Sequence, residues 1–522
     1  MEELLTILRP EERIALQLRE LYEHRHFHLF RLSSFEEYDL YLQNKAFLTN
    51  VDPITFTGNN GRLMALNPDV TLSIVKNTPI GEARRVYYNE DVYRHDRKDG
   101  EYKRINQIGL ELIGKIDSES EAEVVQLAME SLAVAGKGAL DISHIGLVED
   151  IVEQFAPYGL QKKALMALQT KSPHTMQAVC QQAGLSEPLT QALTRLTAVS
   201  GPFQEVATEV ELLVAPLPKA AQAMVELNAL YDQLQNHCSA TATIDVRLDF
   251  SFVNDTDYYS GLLFQGFLEG IPHAVLFGGR YDHLLKAHGA QQGAIGFGMY
   301  LNGIDRKTQQ STVPTKSYLD IALPKGRMGN AIYQKLVKAG LVSAGLFDDS
   351  RKLIFQDDVH RIRFFLVKPS DVDQYVDRGA ADIGVVGLDV LLEGETNVLE
   401  VLDLKIGKCK MVVAGKSDFQ PDSTRPLRVA TKYPQITRHY YNDIRQPIEL
   451  IELHGSIELA PLLDLSDVIV DIVETGTTLK ENHLIILQEF LESSARLIVN
   501  PVSWRFKEVA IQEFIQKVGN DL

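Results

Sequence analysis

The segment 467–484, DVIVDIVETGTTLKENHL, has the residue types of a phosphate-binding turn. An apolar strand pattern ends in two acids, Asp471 and Glu474, which could hold ribose hydroxyls. Backbone N–H groups at such a strand–helix junction bind anions, and a glycine lets a phosphate approach closely. The turn itself consists of Thr475, Gly476, Thr477 and Thr478. An ordinary capped junction has the same pattern, so this segment alone leaves both interpretations open.

Cationic side chains follow strand patterns in the same half of the chain. Lys325 and Arg327 come directly after YLDIALP, at the end of a strand, where α/β folds place ligand contacts. Further candidates for a ligand cleft are Arg351, Lys352, Lys368, Lys432, Tyr433 and Glu458. Each charge also fits a solvated surface position. Glu458 also fits the first turn of a helix capped by Ser456.

Two differently patterned halves must position these residues. The second half alternates strands such as RIRFFLV and ADIGVVG with helices, which predicts α/β lobes with mainly parallel sheets. The first half has short strand patterns over 26–115 and then a helical pattern over 119–235. The polar segment 305–316, DRKTQQSTVPTK, predicts a linker between them. A long surface loop within one domain is the alternative.

Composition excludes several classes of protein. The 522 residues carry a formal net charge of −18, so a basic footprint for nucleic acid is absent and we expect no such partner. The cysteines, Cys180, Cys238 and Cys409, show no C-x-x-C spacing and indicate neither a disulfide framework nor a zinc knuckle. The N-terminus lacks a signal-peptide pattern, and no apolar run approaches the ~18 residues of a membrane span. We therefore expect a cytoplasmic protein without a membrane partner.

Six segments of the second half carry a family resemblance. They are IALPKGRM at 321–328, SRKLIF at 350–355, VKPSDV at 367–372, GAADIGVVGLDVLLE at 379–393, RVATKYPQITRHYY at 428–441 and HGSIELAPLLDLSDVIVDIVETGTTLKENHL at 454–484. In this order they resemble short-form ATP phosphoribosyltransferase over essentially all of 317–522. The resemblance implies two lobes like those of a periplasmic binding protein, with the site in the cleft. Lobe one would comprise about 317–420 and 496–522, and lobe two about 425–495.

The resemblance also implies a reaction, the first step of histidine biosynthesis. Adenine N1 of ATP attacks C1 of phosphoribosyl pyrophosphate and expels pyrophosphate, a step that needs positioning and cations more than a covalent nucleophile. Mg²⁺ would accompany the phosphates, held largely by substrate oxygens rather than by an identifiable side-chain metal site. A solute-binding module without catalysis is the alternative.

Roles follow from the matched motifs. Lys325, Arg327 and Lys368 are the expected catalytic cations, although the family usually has arginine at position 368, and lysine lacks its bidentate fork. Phosphoribosyl pyrophosphate would bind Asp471 and the turn 474–478. ATP would bind Arg351, Lys352, Lys432, Tyr433 and Glu458.

Six segments of the first half resemble a second family. They are ALNPDVT at 65–71, VYRHDR at 92–97, INQIGLELIG at 105–114, DYYSG at 257–261, GGRYDHLL at 278–285 and AIGFGM at 294–299. They are similar to the catalytic domain of histidyl-tRNA synthetase, and more closely to its paralogue, the regulatory subunit of ATP phosphoribosyltransferase. The implied fold of 1–304 is an antiparallel sheet of six to seven strands flanked by helices, with a helical insertion over about 120–235.

Departures from the synthetase pattern argue against aminoacylation. Gly303 and Asn254 occupy positions where a synthetase has arginines that stabilise the activated phosphate, and Ser33 replaces the motif 1 proline. Losing one such electrostatic contact removes about 3–4 kcal/mol of transition-state stabilisation. No anticodon-binding pattern follows, so a tRNA-charging enzyme is disfavoured.

The amino-acid pocket of the synthetase is retained. Positions matching the family's contacts to the amino group of histidine are Asp69, Thr71, Gln107 and Glu111, with Tyr258 and Tyr259 near the imidazole. The resemblance implies that this half activates the catalytic half and senses L-histidine as a feedback inhibitor. Asn67 stands where arginine is common, which bears on histidine affinity. A half that only scaffolds an oligomer is the alternative.

Two further expectations concern metals and assembly. His24, His26 and His28 alternate as metal ligands on one strand face would, but no partner acid or cysteine has matching spacing, so we expect a polar edge. The two-component enzyme is an assembly of four catalytic and four regulatory chains. The fusion therefore predicts a homo-oligomer, plausibly a tetramer.

Overall fold

The computed structural model describes residues 7–44, 52–95, 100–236, 243–253, 258–304, 318–347, 352–394, 396–422 and 424–520. The chain divides into two compact units, Met1–Thr315 and Lys316–Leu522. The predicted linker, Arg351 and Asn254 lie outside the described residues. No helix in these ranges is long and apolar enough to cross a membrane.

The first unit mixes helices and strands along its length. Its helices are α1 (Pro10–His24), α2 (Tyr38–Gln43), α3 (Val70–Lys76), α4 (Ser118–Ala135), α5 (Ile145–Glu153), α6 (Tyr158–Gln169), α7 (Pro173–Ala183), α8 (Glu187–Ala198), α9 (Phe203–Val214), α10 (Pro218–Asn236) and α11 (Asp282–Ala287). Its strands are β1 (His28–Leu29), β2 (Phe35–Glu37), β3 (Thr55–Thr57), β4 (Leu63–Leu66), β5 (Arg84–His95), β6 (Tyr102–Gly114), β7 (Gly138–His144), β8 (Gly201–Pro202), β9 (Ile244–Leu248), β10 (Leu262–Leu268), β11 (Leu276–Arg280) and β12 (Gly293–Tyr300).

A nine-stranded sheet forms the centre of the first unit, in the order β1-β5-β6-β12-β11-β10-β7-β9-β8. The prediction of six to seven strands was therefore too low. The sheet is mainly antiparallel, but β1 with β5 and β7 with β9 pair in parallel. Strands β2, β4 and β3 form a separate small sheet. Helices α1 and α4 pack their apolar residues against the central sheet in one large core.

Residues 118–236 are mostly helical, as predicted, but the helical insertion outside the central sheet begins later than the resemblance implies. Strand β7 lies inside the expected insertion of 120–235, yet its residues pair with β10 and β9 in the central sheet. The run GALDISH is buried at every position except His144, so it has no alternation to distinguish it from a buried helix. The consecutive helices outside the sheet start at α5.

The three alternating histidines do not share one strand face. His24 ends α1, His26 has a φ of +61°, and His28 begins β1. All three are exposed. Among the described residues, no group of three or more His, Cys, Asp or Glu is arranged to hold a metal ion.

The second unit alternates shorter elements. Its helices are α12 (Arg327–Lys338), α13 (Val372–Asp377), α14 (Leu388–Glu393), α15 (Pro434–Asp443), α16 (Leu459–Leu462), α17 (Thr477–Glu481), α18 (Pro501–Phe506) and α19 (Glu508–Asn520). Its strands are β13 (Leu319–Pro324), β14 (Ile354–Asp357), β15 (Ile362–Val367), β16 (Ile383–Gly387), β17 (Leu399–Asp403), β18 (Cys409–Lys416), β19 (Leu427–Thr431), β20 (Ile448–Glu452), β21 (Val468–Val473), β22 (Leu484–Ser493) and β23 (Ala495–Val499).

Two sheets define two lobes within the second unit. Lobe one has the order β14-β15-β13-β16-β23-β17, and lobe two has the order β20-β19-β21-β18-β22. Both sheets are mixed, so the prediction of mainly parallel sheets was wrong. In lobe one, β13 runs parallel to β15 and β16, whereas β14, β17 and β23 pair antiparallel.

Strand β18 corrects the predicted boundary between the lobes. The sequence placed residues up to 420 in lobe one, but β18 pairs with β21 and β22 in the sheet of lobe two. The chain therefore crosses first between Asp403 and Cys409, and it returns between β22 and β23. The two crossings lie side by side, because Leu404 N–H donates to Ala495 O and Ala495 N–H to Ile406 O, both at 2.9 Å.

Candidate functional site

A cleft of about 750 Å³ lies between the two lobes of the second unit. Its lining consists of Arg327, Met328, Ala331, Ile406, Gly407, Cys409, Lys432, Tyr433, Glu458 and residues 471–479. The cleft is thus lined by the end of β21 and the turn that follows it, the residues after β19, the start of α12 and the first crossing of the chain between the lobes. The site is made of strand ends and a crossing between the lobes, so a ligand can contact both lobes.

The turn after β21 provides the anion-binding geometry. Gly476 has a φ of +74°, a left-handed conformation that favours glycine, and it precedes the single helical turn α17. The hydroxyls of Thr475 and Thr477 lie 3.0 Å apart at the mouth of this turn. Three hydroxyls and a tight backbone turn therefore face the cleft together, as a phosphate site requires.

Opposite charges meet across the cleft. Arg327, at the start of α12 in lobe one, donates to Glu474 of lobe two at 3.1 Å, and its side chain is 91% exposed. On the floor of lobe two, burial raises the pKa of Asp471, while the charge of Lys432 opposes that rise. An exposed guanidinium and acids at a strand end suit a ligand that carries both phosphates and hydroxyl groups.

Three of the predicted cations lie outside the cleft lining. Lys325, Lys352 and Lys368 are exposed in the described structure. Lys325 N–H donates to Val367 O at 2.8 Å, which brings Lys325 and Lys368 to the carboxyl ends of the neighbouring parallel strands β13 and β15. Both lie at the same edge of the lobe-one sheet as Arg327, but outside the lining of the cleft that the turn 474–478 helps to form.

Glu458 lines the cleft, but the predicted cap at Ser456 was wrong. Helix α16 begins at Leu459, and Glu458 itself occupies the N-cap position without a side-chain cap bond. His454 and Gly455 form a bend, and Ile457 and Glu458 form a turn that leads into the helix. The Glu458 carboxylate is therefore presented to the cleft instead of being used to close a helix end.

A second cluster of polar residues is buried in the first unit around Glu111. Thr71 donates to one carboxylate oxygen of Glu111 at 2.8 Å, and Tyr281 donates to the other at 2.6 Å. Burial raises the pKa of Glu111 to about 8, against the effect of these two hydrogen bonds. The acid is held among hydroxyl groups, so a cationic group arriving beside it would gain a strong electrostatic partner.

Glycines of strand β12 make room for this cluster. A Cβ atom on Gly296 would lie 1.7 Å from a Glu111 carboxylate oxygen, and one on Gly298 would lie 1.9 Å from the Gln107 amide nitrogen. Gln107 donates to the hydroxyl of Tyr88 at 3.0 Å, while its amide oxygen is buried without a partner. The spacing of glycines in AIGFGM therefore has a steric reason in the positions of Glu111 and Gln107.

The remaining pocket candidates surround Glu111. Asp69 caps α3 by accepting from Leu72 N–H at 3.0 Å, and burial raises its pKa despite the opposing charge of Arg94. The rings of Tyr258 and Tyr259 lie edge to face, with centroids 4.7 Å apart. Burial raises the pKa of Tyr258 well above its usual value, and the negative charges of Asp69 and Glu111 raise it further.

The side chain of Asn67 is buried and hydrogen-bonded next to the pocket. It accepts from the hydroxyl of Tyr41 at 3.0 Å and donates to Ser73 at 3.3 Å, and it is 2% exposed. An arginine would not fit this packed position without rearrangement. The substitution therefore changes the pocket wall rather than leaving an open space.

Comparison with known proteins decides the family. The family model of ATP phosphoribosyltransferase matches residues 368–520. An ATP phosphoribosyltransferase from Brachyspira hyodysenteriae is 51% identical over 201 residues, which are 38% of this chain and 98% of that protein. One from Clostridioides difficile is 51% identical over 200 residues, 38% of this chain and 96% of that protein. The chain belongs to the ATP phosphoribosyltransferase family.

The first unit of the chain matches a different family. The family model of histidyl-tRNA synthetase matches residues 4–304. A solved structure of an ATP phosphoribosyltransferase regulatory subunit/histidyl-tRNA synthetase from Bacillus halodurans C is 21% identical, with a TM-score of 0.50, and covers 63% of this chain and 86% of that one. The chain is therefore a fusion of a synthetase-like unit to a pentosyltransferase of histidine biosynthesis.

The structure adds residues to the phosphoribosyltransferase cleft that the sequence does not single out. Met328 and Ala331 come from the first turns of α12, and Ile406, Gly407 and Cys409 come from the first crossing between the lobes. Gly407 has a φ of +62°, so an isolated glycine between strand patterns was the available signal for this crossing.

Tyr281 is the main residue missed in the synthetase-like unit. It lies in the motif GGRYDHLL, which carries the family resemblance but does not by itself indicate a pocket residue. Its hydroxyl bond to Glu111 joins α11 to the centre of the cluster. A tyrosine at the entry of a glycine-rich strand–helix junction was the signal that pointed to it.

Proposed function

We propose that the second unit condenses ATP, through adenine N1, with phosphoribosyl pyrophosphate to give N1-(5-phosphoribosyl)-ATP and pyrophosphate. The observation that carries this proposal is the turn 474–478, which faces Arg327 across the cleft. Phosphoribosyl pyrophosphate binds the turn with its phosphates and Asp471 with its ribose. Its C1 is then open to a nucleophile bound beside the turn, at the residues of lobe two that follow β19.

ATP is placed against Lys432, Tyr433 and Glu458. Lys432 supplies a positive charge for the triphosphate, and the phenol of Tyr433 supplies an aromatic surface for adenine. Lys325, Lys352 and Lys368 add positive charge outside the lining of the cleft, and Arg351, which lies outside the described residues, stays a candidate from the sequence. Their charges stabilise the leaving pyrophosphate, which is the difficult part of the reaction.

Mg²⁺ fits the donor set of this cleft. Asp471, Glu474 and Glu458 are carboxylates along its lining, but no three of the described His, Cys, Asp or Glu residues are grouped to hold an ion by themselves, so Mg²⁺ would be held largely by oxygens of the substrate phosphates. The ion, when bound, neutralises charge on the pyrophosphate. Arg327 acts on the same group from the other lobe, orienting it through its guanidinium.

The test of the catalytic proposal is an assay of the full chain with ATP, phosphoribosyl pyrophosphate and Mg²⁺. We expect the ultraviolet absorbance of N1-(5-phosphoribosyl)-ATP to rise only when all three are present. Binding of either substrate without product would favour a solute-binding module instead.

The first unit is proposed as the histidine sensor and activator of the second. Asp69 and Glu111 present two acids to the ammonium of L-histidine, with Thr71 and Gln107 as neighbouring polar groups. Tyr258, Tyr259 and Tyr281 provide an aromatic wall for the imidazole. Histidine inhibits if it binds one of two states of the chain more tightly than the other.

Calorimetry with L-histidine tests the sensor. Wild-type chain should bind, and Asp69→Asn should bind at least tenfold more weakly because a buried charge partner is lost. Gln222→Glu on the exposed face of α10 is a control for a change of charge elsewhere. Absence of binding by the wild type would leave only a scaffolding role.

Assembly and location complete the proposal. A family that works as a complex of catalytic and regulatory chains makes a homo-oligomer, plausibly a tetramer, the expected form of the fusion. The composition supports a cytoplasmic enzyme. Sedimentation measurements of the purified chain test the oligomer.

A further inference from the structure

Helix α14 of lobe one bridges to lobe two along its whole length. At its start, the amide N–H of Asp389 donates to Ser493 Oγ at 3.3 Å, and that hydroxyl donates to the Asp389 carboxylate at 2.9 Å. Ser493 is the last residue of β22 in lobe two. The first turn of α14 is therefore tied to the point where the chain leaves lobe two.

The apolar side chains of α14 divide between the two lobes. Val390 and Leu391 pack against the core of lobe one that contains β16 and α13. Leu392 packs against the core of lobe two that contains β19, β21 and α15. A six-residue helix with contacts in both cores fixes the position of one lobe on the other more tightly than the two covalent crossings alone.

The end of α14 makes the most directional of these contacts. The Glu393 carboxylate accepts from Gln435 N–H at 3.0 and 3.1 Å and from Ile436 N–H at 3.1 Å. These amides are in the first turn of α15, a ten-residue helix that otherwise lacks a side-chain cap. Glu393 thus caps a helix of the other lobe, and its charge opposes the positive end of the helix dipole.

The capped helix carries one wall of the cleft. Tyr433 is the N-cap residue of α15 and Lys432 precedes it, and both line the cleft. Tyr433 N–H also donates to Thr431 Oγ1 at 2.9 Å, so the segment is held from β19 on one side and from Glu393 on the other. Moving the start of α15 would move this wall, whereas the turn 474–478 is attached to β21.

We propose that Glu393 is a positioning residue that fixes the Lys432–Tyr433 wall for ATP by capping α15 across the lobe boundary. The proposal rests on the assignment of ATP to that wall made above. Glu393 itself does not line the cleft, so its effect on the reaction passes through α15.

Steady-state kinetics of the full chain separate this role from a general loss of structure. Glu393→Ala should raise KM for ATP about tenfold, since it removes charge-assisted hydrogen bonds. KM for phosphoribosyl pyrophosphate should change by less than about twofold, because its turn is attached to β21. Glu393→Gln keeps an acceptor oxygen and should give an intermediate KM for ATP. Glu513→Gln, on the exposed face of α19, should match wild type.

Hydrogen exchange gives the structural readout in the same variants. Exchange at Gln435 and Ile436 should accelerate in Glu393→Ala, while β21 remains as protected as in wild type. Equal rises in both KM values, or unchanged kinetics with faster exchange at α15, would overturn the positioning role.

The variant Lys432→Ala distinguishes a wrong assignment of ATP to this wall from a wrong role for Glu393. Lys432→Ala should raise KM for ATP by itself. If it does and Glu393→Ala does not, the positioning role is wrong. If Lys432→Ala leaves KM for ATP unchanged, the assignment of ATP to this wall is wrong, and the positioning role falls with it.

Discussion

Glu111 has a raised pKa because its carboxylate is buried and its hydrogen-bond partners are hydroxyl groups rather than cations. The side chain is 2% exposed, and Asp69 adds a second negative charge nearby. The pocket therefore favours a protonated Glu111 until a cation arrives. This is a sound arrangement for an amine sensor, because the ligand supplies the charge that the protein lacks.

This raised pKa predicts that the stability of the first unit depends on pH between about 5 and about 8. Unfolded glutamate titrates near about 4.3, whereas the folded pKa of Glu111 is about 8. Between these values the folded state holds a proton that the unfolded state releases, so the contribution of Glu111 to stability falls as pH rises from about 5 to about 8. Glu111→Gln should flatten the pH dependence of hydrogen-exchange protection in β6.

The control for this measurement is an exposed acid of the same unit. Glu205→Gln on α9 should leave the slope of protection against pH as in wild type. An equally steep fall in the Glu111→Gln variant would show that another group is responsible.

Arg327 is the residue on which transition-state stabilisation should depend most. Its exposed ion pair with Glu474 contributes about 0–1 kcal/mol to stability, so its removal should not unfold the unit. Arg327→Ala should lower kcat/KM by about 10²- to 10³-fold with little change in thermal midpoint. Arg378→Ala, an exposed arginine of lobe one outside the cleft lining, is the control. Equal kinetics for the two variants would contradict the role of Arg327.

At the scale of elements, the turn after β21 is the feature that both sequence and structure point to. The strand ending in acids and the order of threonines and glycine predict where it lies, because local sequence determines local turns. Gly476 has the left-handed backbone that this interpretation needs.

Gly476→Ala should separate strain from chemistry. Alanine in a left-handed conformation costs about 1 kcal/mol, and the nearest atom to its Cβ would be 3.8 Å away, so the fold should persist. Turnover should fall at least tenfold, since small displacements of a substrate site are costly. Gly340→Ala has a similar φ, +67°, with no described heavy atom within 4 Å, and serves as the matched control. A similar loss of turnover in both variants would argue for strain alone.

Pairing partners of strands are where prediction from sequence was weakest. The run KMVVAG forms most of β18, but nothing in an apolar run of this length specifies which of two sheets it joins, and β18 pairs in the sheet of lobe two. The direction of β23 is likewise set by a long-range return of the chain. Ser456 illustrates the same limit at a helix end, since α16 begins at Leu459 with Glu458 at the N-cap position.

At the scale of the whole molecule, the two family resemblances predicted the order of the units and the class of fold. They did so because motifs such as GGRYDHLL and ETGTT preserve backbone geometry that few sequences satisfy. Tyr281 and the crossing residues Ile406 and Gly407 were missed because their roles exist only through partners distant in sequence.

The proposed joining of a histidine sensor and an enzyme in one chain would have a consequence for regulation. Because the two units are present in equal number at every concentration, the proposed inhibition would not be lost by dissociation of a subunit on dilution. Reciprocity requires that substrates which favour the active state weaken histidine binding by the same factor.

The central claim is that one chain both makes N1-(5-phosphoribosyl)-ATP and is controlled by histidine through the first unit. The most direct measurement is the rate of product formation by the full chain across a histidine titration, for wild type and Asp69→Asn, each relative to its own rate without histidine. The account predicts inhibition of the wild type and at least a tenfold shift to higher histidine concentration for the variant. Inhibition at the same concentration in both, or no product from the wild type, would contradict it.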